Sequence, residues 1–240
     1  DLIPAVAPGA LETVLAARLE AALRGAGGRP AFATILTGRG AILHGVPAPR
    51  PLGADELLLV DFGAEAPSGY ASDITRTLPV AGRFTPRQRD LYDIVRRAQA
   101  QAEARLRPGV AFREVHLAAA LAIAEGLIDL GLLAAPPADV VAAGAHALFF
   151  PHGLGHPLGL DVHDLEALGE DRVGYDAEVA RSRQWGLASL RFGRRLEAGM
   201  VMTVEPGIYF HPALAARWER ERRGAGFVRY DRLAPFMGVG

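Results

Sequence analysis

An α+β fold is predicted for this 240-residue chain, and three observations predict it. Helical and strand-like segments are grouped along the chain instead of alternating: one helix, several short strands, two helices, then extended segments. The strand-like runs 56–62 (ELLLVDF) and 70–78 (YASDITRTL) are joined by the turn signal APSG, as in an antiparallel hairpin. No Gly/Ser linker, short-period repeat or low-complexity tail divides the sequence, so one domain spanning 1–240 is the simplest organisation.

Taken in order, residues 10–24 (ALETVLAARLEAALR) carry helical periodicity and stop at GAGG. The run AFATILTGRGAILHG predicts two short strands about a Gly turn, with His44 ending the second. Thr85-Pro86 supplies an N-cap and first helical residue for a helix reaching about Arg107, before Pro108-Gly109. A second helix is expected over roughly 112–131. An irregular stretch, about 165–190, precedes a predicted strand, VMTVEPGIYF.

Composition narrows the function classes. Half the residues are hydrophobic, 22% are charged, and net charge is −1. This is no nucleic-acid footprint and no basic membrane face. Every one of the 26 basic residues is arginine. The absence of cysteine excludes disulfides, thiolate catalysis and Cys-ligated zinc, and suits a cytoplasmic protein. The longest apolar stretch is interrupted by Glu125, Asp129, Pro136 and Asp139, so it does not read as a membrane span.

The densest chemistry lies in FFPHGLGHPLGLDVHD, residues 149–164. Three of the seven histidines, His152, His156 and His163, fall there among three glycines. Imidazoles on a backbone that permits close approach suit a metal or substrate site. Asp61 follows the apolar run LLLV, where an ionised carboxylate is costly unless paired. A simple hairpin centred on residue 67 sets Asp73 across from it, and two carboxylates that close must share a proton or hold a cation. In VMTVEPG, alternation puts Val201, Thr203 and Glu205 on one face. The plainer alternatives are a turn-rich loop, an Asp73–Arg76 pair and a strand-end surface charge at Glu205. Together, Asp61, Asp73, His156 and Glu205 form a set of hard oxygen ligands with one imidazole, suited to Mn²⁺, Co²⁺ or Zn²⁺.

DFG at 61–63, SDITRT at 72–77, PHGLGHPLGLDVHD at 151–164 and TVEPGIYF at 203–210 resemble the metallopeptidases of the aminopeptidase P and prolidase family. The resemblance implies the pita-bread fold, an antiparallel curved sheet with helices packed on its outer face. It also implies two divalent ions, Mn²⁺ first, with Co²⁺ or Zn²⁺ as alternatives. Asp61 and Asp73 would then ligate the pair, Asp73 bridging, and His156 and Glu205 the second ion. By the same resemblance His163 stabilises the tetrahedral intermediate, Glu205 handles the proton, and His44 and His152 belong to the substrate pocket. The implied reaction is hydrolysis of the bond before proline by a metal-bridged water. The partners are small Xaa-Pro peptides and a second copy in a homodimer, with no nucleic acid and no membrane.

The run ASLRFGRRLEAGM and the long interval between His163 and Glu205 are similar to prolidases. There Arg191 matches the arginine that grips a substrate carboxylate, which favours a dipeptidase over an aminopeptidase acting on longer peptides. The family's fifth ligand, a Glu in a GxRxED motif, has no counterpart, although Asp231 in VRYD sits in a loosely similar context. RLAPFMGVG is similar to the lead-in to that motif. The chain is therefore expected to be a catalytic domain incomplete at both ends, with a weakly occupied first metal position if nothing follows Gly240. A pita-bread binding module is the competing class, opposed by four retained ligands. Creatinase, which works without metal, and methionine aminopeptidase fit the motifs less well. His116, His146 and His211 match nothing and are expected in core or surface positions, and RWERERRG is expected on a solvated helix face.

Overall fold

Leu58 and Val60 send their side chains to one face of a strand and Leu57, Leu59 and Asp61 go to the other. That alternation organises the first of two compact units. In the computed structural model, which describes residues 2–239, this unit comprises residues up to 89, 158–164 and the last residues from 238, and the second comprises 90–157 and 165–237.

Helix α1 (Glu12–Gly25) opens the first unit's framework and is followed by β1 (Arg29–Pro30) and β2 (Ile35–Thr37). β3 (Leu57–Phe62), β4 (Ala64–Glu65) and β5 (Ile74–Pro79) complete it. β2, β3 and β5 make an antiparallel sheet in that order, and β1 pairs with β4. Leu15 and Ala16 of α1 pack on Leu36, Leu58 and Val60, with Leu52 and Val80 closing the cluster. Asp61 points to the opposite face from this core.

Helix α2 (Pro86–Glu103) starts where the sequence predicts and for the predicted reason. The Gln88 N–H donates to Thr85 Oγ1 (3.3 Å) and the Thr85 N–H donates to Gln88 Oε1 (2.9 Å), a reciprocal capping box. It ends four residues before the expected Arg107. In the second unit, α3 (Phe112–Asp129) is buried nearly all round, through Phe112, Val115, Ala119, Ile123 and Leu127 among others. α4 (Pro137–Ala142) lies against it. Residues 165–190 are irregular as expected, broken by single turns such as α5 (Glu170–Val173). α6 (Pro212–Arg220) buries Ala215 and Trp218, while Arg217, Glu221 and Arg223 pair with one another outside. His211 caps α6, its Nδ1 accepting the Leu214 N–H at 3.2 Å. Among the described residues no helix is long and apolar enough to cross a membrane.

Three expectations need correction. No second strand forms before His44: residues 40–45 turn back on themselves, and His44 has φ +58°. The 201–210 segment is extended but not a regular strand. Finally, the hairpin turn is centred on residue 68, because Gly69 takes the left-handed position (φ +85°) of a three-residue loop and the Ala66 N–H donates to Tyr70 O. Asp61 therefore opposes Thr75, and Asp73 lies two residues further along.

Candidate metal centre

Residues 149–157 and 201–210 run antiparallel and hold each other through scattered bonds. The Thr203 N–H donates to His156 O (3.0 Å), the Glu205 N–H to Leu154 O (2.8 Å) and the Tyr209 N–H to Phe149 O (2.8 Å). The His156 N–H donates to the Thr203 hydroxyl (3.0 Å) instead of a backbone carbonyl, which interrupts a regular ladder. Gly155 allows this approach, since a Cβ there would lie 2.1 Å from Thr203 O.

This pairing sets His156, which is 4% exposed, against Glu205, with Nε2 3.4 Å from Oε1. His156 Nδ1 lies 2.9 Å from Pro157 O. A carbonyl can only accept, so Nδ1 carries a proton and Nε2 presents its lone pair to the carboxylate. Two acceptors facing each other at that distance require a proton or a cation between them. Ligand bonds of about 2.1 Å at a tetrahedral angle leave donor atoms about 3.4 Å apart. The pair therefore fits a divalent cation. Thr203 Oγ1 donates to Glu205 Oε1 at 2.9 Å and orients the carboxylate. Sequence reasoning put Thr203 on the Glu205 face but assigned it no role.

In the first unit, Asp61 and Asp73 share one face of the β3–β5 hairpin. Their relation is diagonal, for which Cα separations run about 7–8 Å. Gly63 stands opposite Asp73, and a Cβ there would overlap Ser72 O. Asp61 Oδ1 is shielded from solvent. Two carboxylates on one half-buried face, one of them shielded, again suit a shared cation.

His163 lies in the 158–164 segment, which the first unit holds through the Ala71 N–H donating to Gly159 O (2.8 Å). His44 is exposed at the tip of a loop from 38 to 50. His152 belongs to the second unit: Nδ1 donates to Gly153 O (2.7 Å) and Nε2 lies 3.1 Å from Tyr209 OH, contacts that fix the ring's orientation. Arg191 Nη1 is held by Glu166 (2.6 Å) and Glu170 (3.2 Å), and Glu170 also binds Arg181 (2.7 Å). The carboxylates on Arg191 come from 25 and 21 residues away, which no local pattern announces.

His116 and His146 are core residues. His116 accepts the Leu154 N–H at Nδ1 (3.1 Å) and stacks on Phe150. Burial, with smaller contributions from His146 and His152, pushes His116 down to about 3. Burial also pushes His146 down to about 4.

Comparison with known proteins agrees with this architecture. Residues 1–230 match metallopeptidase family M24. The "Probable Xaa-Pro aminopeptidase PEPP" of Fusarium vanettenii is 41% identical over 201 residues, covering 84% of this chain and 41% of that protein. The Xaa-Pro aminopeptidase of Escherichia coli is 39% identical over 199 residues, covering 82% and 40%. Among solved structures, an Escherichia coli aminopeptidase P variant superposes with a TM-score of 0.77 at 33% identity, covering all of this chain and 47% of that one. Proline aminopeptidase P II from Yersinia pestis gives 0.77 at 36%, again over 100% and 47%. The chain thus spans less than half the length of these relatives. Across that span it has the pita-bread fold of their catalytic domain, and it belongs to metallopeptidase family M24.

Proposed function

We propose that this protein is an Xaa-Pro aminopeptidase, releasing the residue before proline from short peptides. The observation that carries the proposal is the His156–Glu205 pair, whose separation suits a divalent cation. In this reading His156 and Glu205 would ligate one divalent ion, and Asp61 and Asp73 would ligate metal from their shared hairpin face, with Mn²⁺ the preferred metal over Co²⁺ or Zn²⁺. When bound, such ions lower the pKa of water and polarise the scissile carbonyl.

The remaining steps belong to the chain's own groups. Glu205, steadied by the Thr203 hydroxyl, accepts the proton of the attacking water and delivers it to the leaving imino nitrogen of proline. His163 donates a hydrogen bond to the oxygen of the tetrahedral intermediate. By the family resemblance, His44 and His152 are each assigned to substrate binding. The enzyme acts as a cytoplasmic homodimer on peptides, which agrees with a cysteine-free chain and no basic face.

The names of the relatives favour an aminopeptidase, and so does Arg191, whose charge is already met by Glu166 and Glu170. A dipeptidase is the second reading, supported by the prolidase-like context of Arg191, and it requires that guanidinium to exchange a glutamate for substrate carboxylate. Hydrolysis of an Xaa-Pro-Yaa tripeptide and an Xaa-Pro dipeptide, with Mn²⁺ added, tests the two. The expected result is a higher kcat/KM on the tripeptide. A preference for the dipeptide, lost tenfold or more in Arg191→Ala, supports the second reading. Hydrolysis of neither peptide contradicts both.

A further inference from the structure

The Glu12 carboxylate is 1% exposed, at the first residue of α1, and it is not part of the proposed metal centre. A buried charge of this kind must be met by several donors. Its donors come from the two ends of one loop. At the leading end, the Gly38 N–H (2.9 Å) and Thr37 hydroxyl (3.3 Å) donate to Oε1. At the trailing end, the Ala48 N–H donates to Oε2 (3.0 Å) and Arg50 donates to Oε1 through Nε (3.2 Å) and Nη2 (2.7 Å). Glu56 holds the far edge of the same guanidinium with two contacts to Nη1, at 2.8 and 3.0 Å.

The loop between these ends has little else to fix it. Ile42, Leu43 and Val46 are 51%, 41% and 80% exposed, so no apolar burial fastens its middle. His44 at its tip is in the left-handed region, which a non-glycine residue keeps only where its surroundings impose it. We infer that Glu12 is a clip that closes the 38–50 loop and thereby positions His44 for substrate. Glu12 is thus a positioning residue, and its catalytic consequence rests on the reading above that His44 belongs to the substrate pocket.

The sequence provides a probe of the loop itself. Trypsin does not cut Arg-Pro bonds, and Arg29 and Arg50 both precede proline, so Arg39–Gly40 is the one tryptic bond between Arg24 and Arg76. Glu12→Gln keeps the side chain's shape and weakens every charge-assisted bond. Cleavage at Arg39 in the intact, metal-loaded protein is expected to run about tenfold faster in Glu12→Gln than in the unsubstituted protein. Arg50→Lys, which removes the fork while keeping the charge, is expected to accelerate it several-fold, and it decides the question if Glu12→Gln does not fold. Unchanged cleavage at Arg39 in the folded variant overturns the clip. On an Xaa-Pro-Yaa peptide, Glu12→Gln is expected to lower kcat/KM about tenfold, chiefly through KM, but less than twofold in a His44→Ala background. An undiminished tenfold loss in that background overturns the link to His44. A peptide-inactive parent protein with faster cleavage at Arg39 in the variants overturns the peptidase reading and upholds the clip.

Discussion

Thr203 joins two residues of the proposed metal centre through one hydroxyl, accepting from the His156 N–H and donating to Glu205 Oε1. Thr203→Val removes both bonds at nearly constant volume, and removal of such a support costs about 10–100-fold in metal affinity. Calorimetric Mn²⁺ titration should show that loss in Thr203→Val and most of the affinity retained in Thr203→Ser. His116 and His146 support a prediction about acid. Both rings are neutral when folded, near 3 and 4, while the unfolded chain takes up these protons near 6.5. Their contribution is intact above pH 6.5 and is lost as pH falls towards the folded values, about 2 kcal/mol for each at pH 5. Urea unfolding at pH 7.5 and pH 5 should reveal the decline, and His116→Asn should diminish it. At this scale the proposed ligands stand out in the sequence, because carboxylates after apolar runs and histidines among glycines are anomalous there. The Thr203 hydroxyl and the glutamates on Arg191 do not, since their roles arise when separate segments meet.

Among the elements, the pairing of 149–157 with 201–210 depends most on one residue. Gly155→Ala sets a Cβ 2.1 Å from Thr203 O, which neither backbone can relieve without separating. Overpacking of this kind costs about 1–3 kcal/mol. Thermal unfolding should register that cost, whereas Gly25→Ala at the end of α1, with nothing within 4 Å of the new Cβ, should be neutral or slightly stabilising. The long periodic elements, α1, β3 and α3, follow from hydrophobic spacing, and α2 from its Thr85–Gln88 box. What the spacing misses is set by hydrogen bonds that periodicity does not encode. The 201–210 segment loses its ladder to the Thr203 side chain, residues 40–45 are held from their ends, and the hairpin register moves two residues because Gly69 accepts the left-handed position. That shift preserves the parity of Asp61 and Asp73, so the shared face survives the wrong register.

On the scale of the whole molecule, each unit carries two of the proposed ligands on a structural device of its own. A hairpin face carries Asp61 and Asp73, and a pair of extended segments carries His156 and Glu205. The family was legible because four motifs spread along the chain agree with one another, and the match over residues 1–230 bears this out. The division into two units was not, because residues 158–164 rejoin the N-terminal unit through contacts that no linker or composition shift marks. The account rests on His156 Nε2 and Glu205 Oε1 facing each other in order to hold a cation. Calorimetric titration of Mn²⁺ into the purified protein at pH 7.5, beside His156→Ala, tests it most directly. We predict saturable binding that His156→Ala weakens at least a hundredfold without altering the far-UV circular dichroism; equal binding by both proteins, or none by either, would contradict the account.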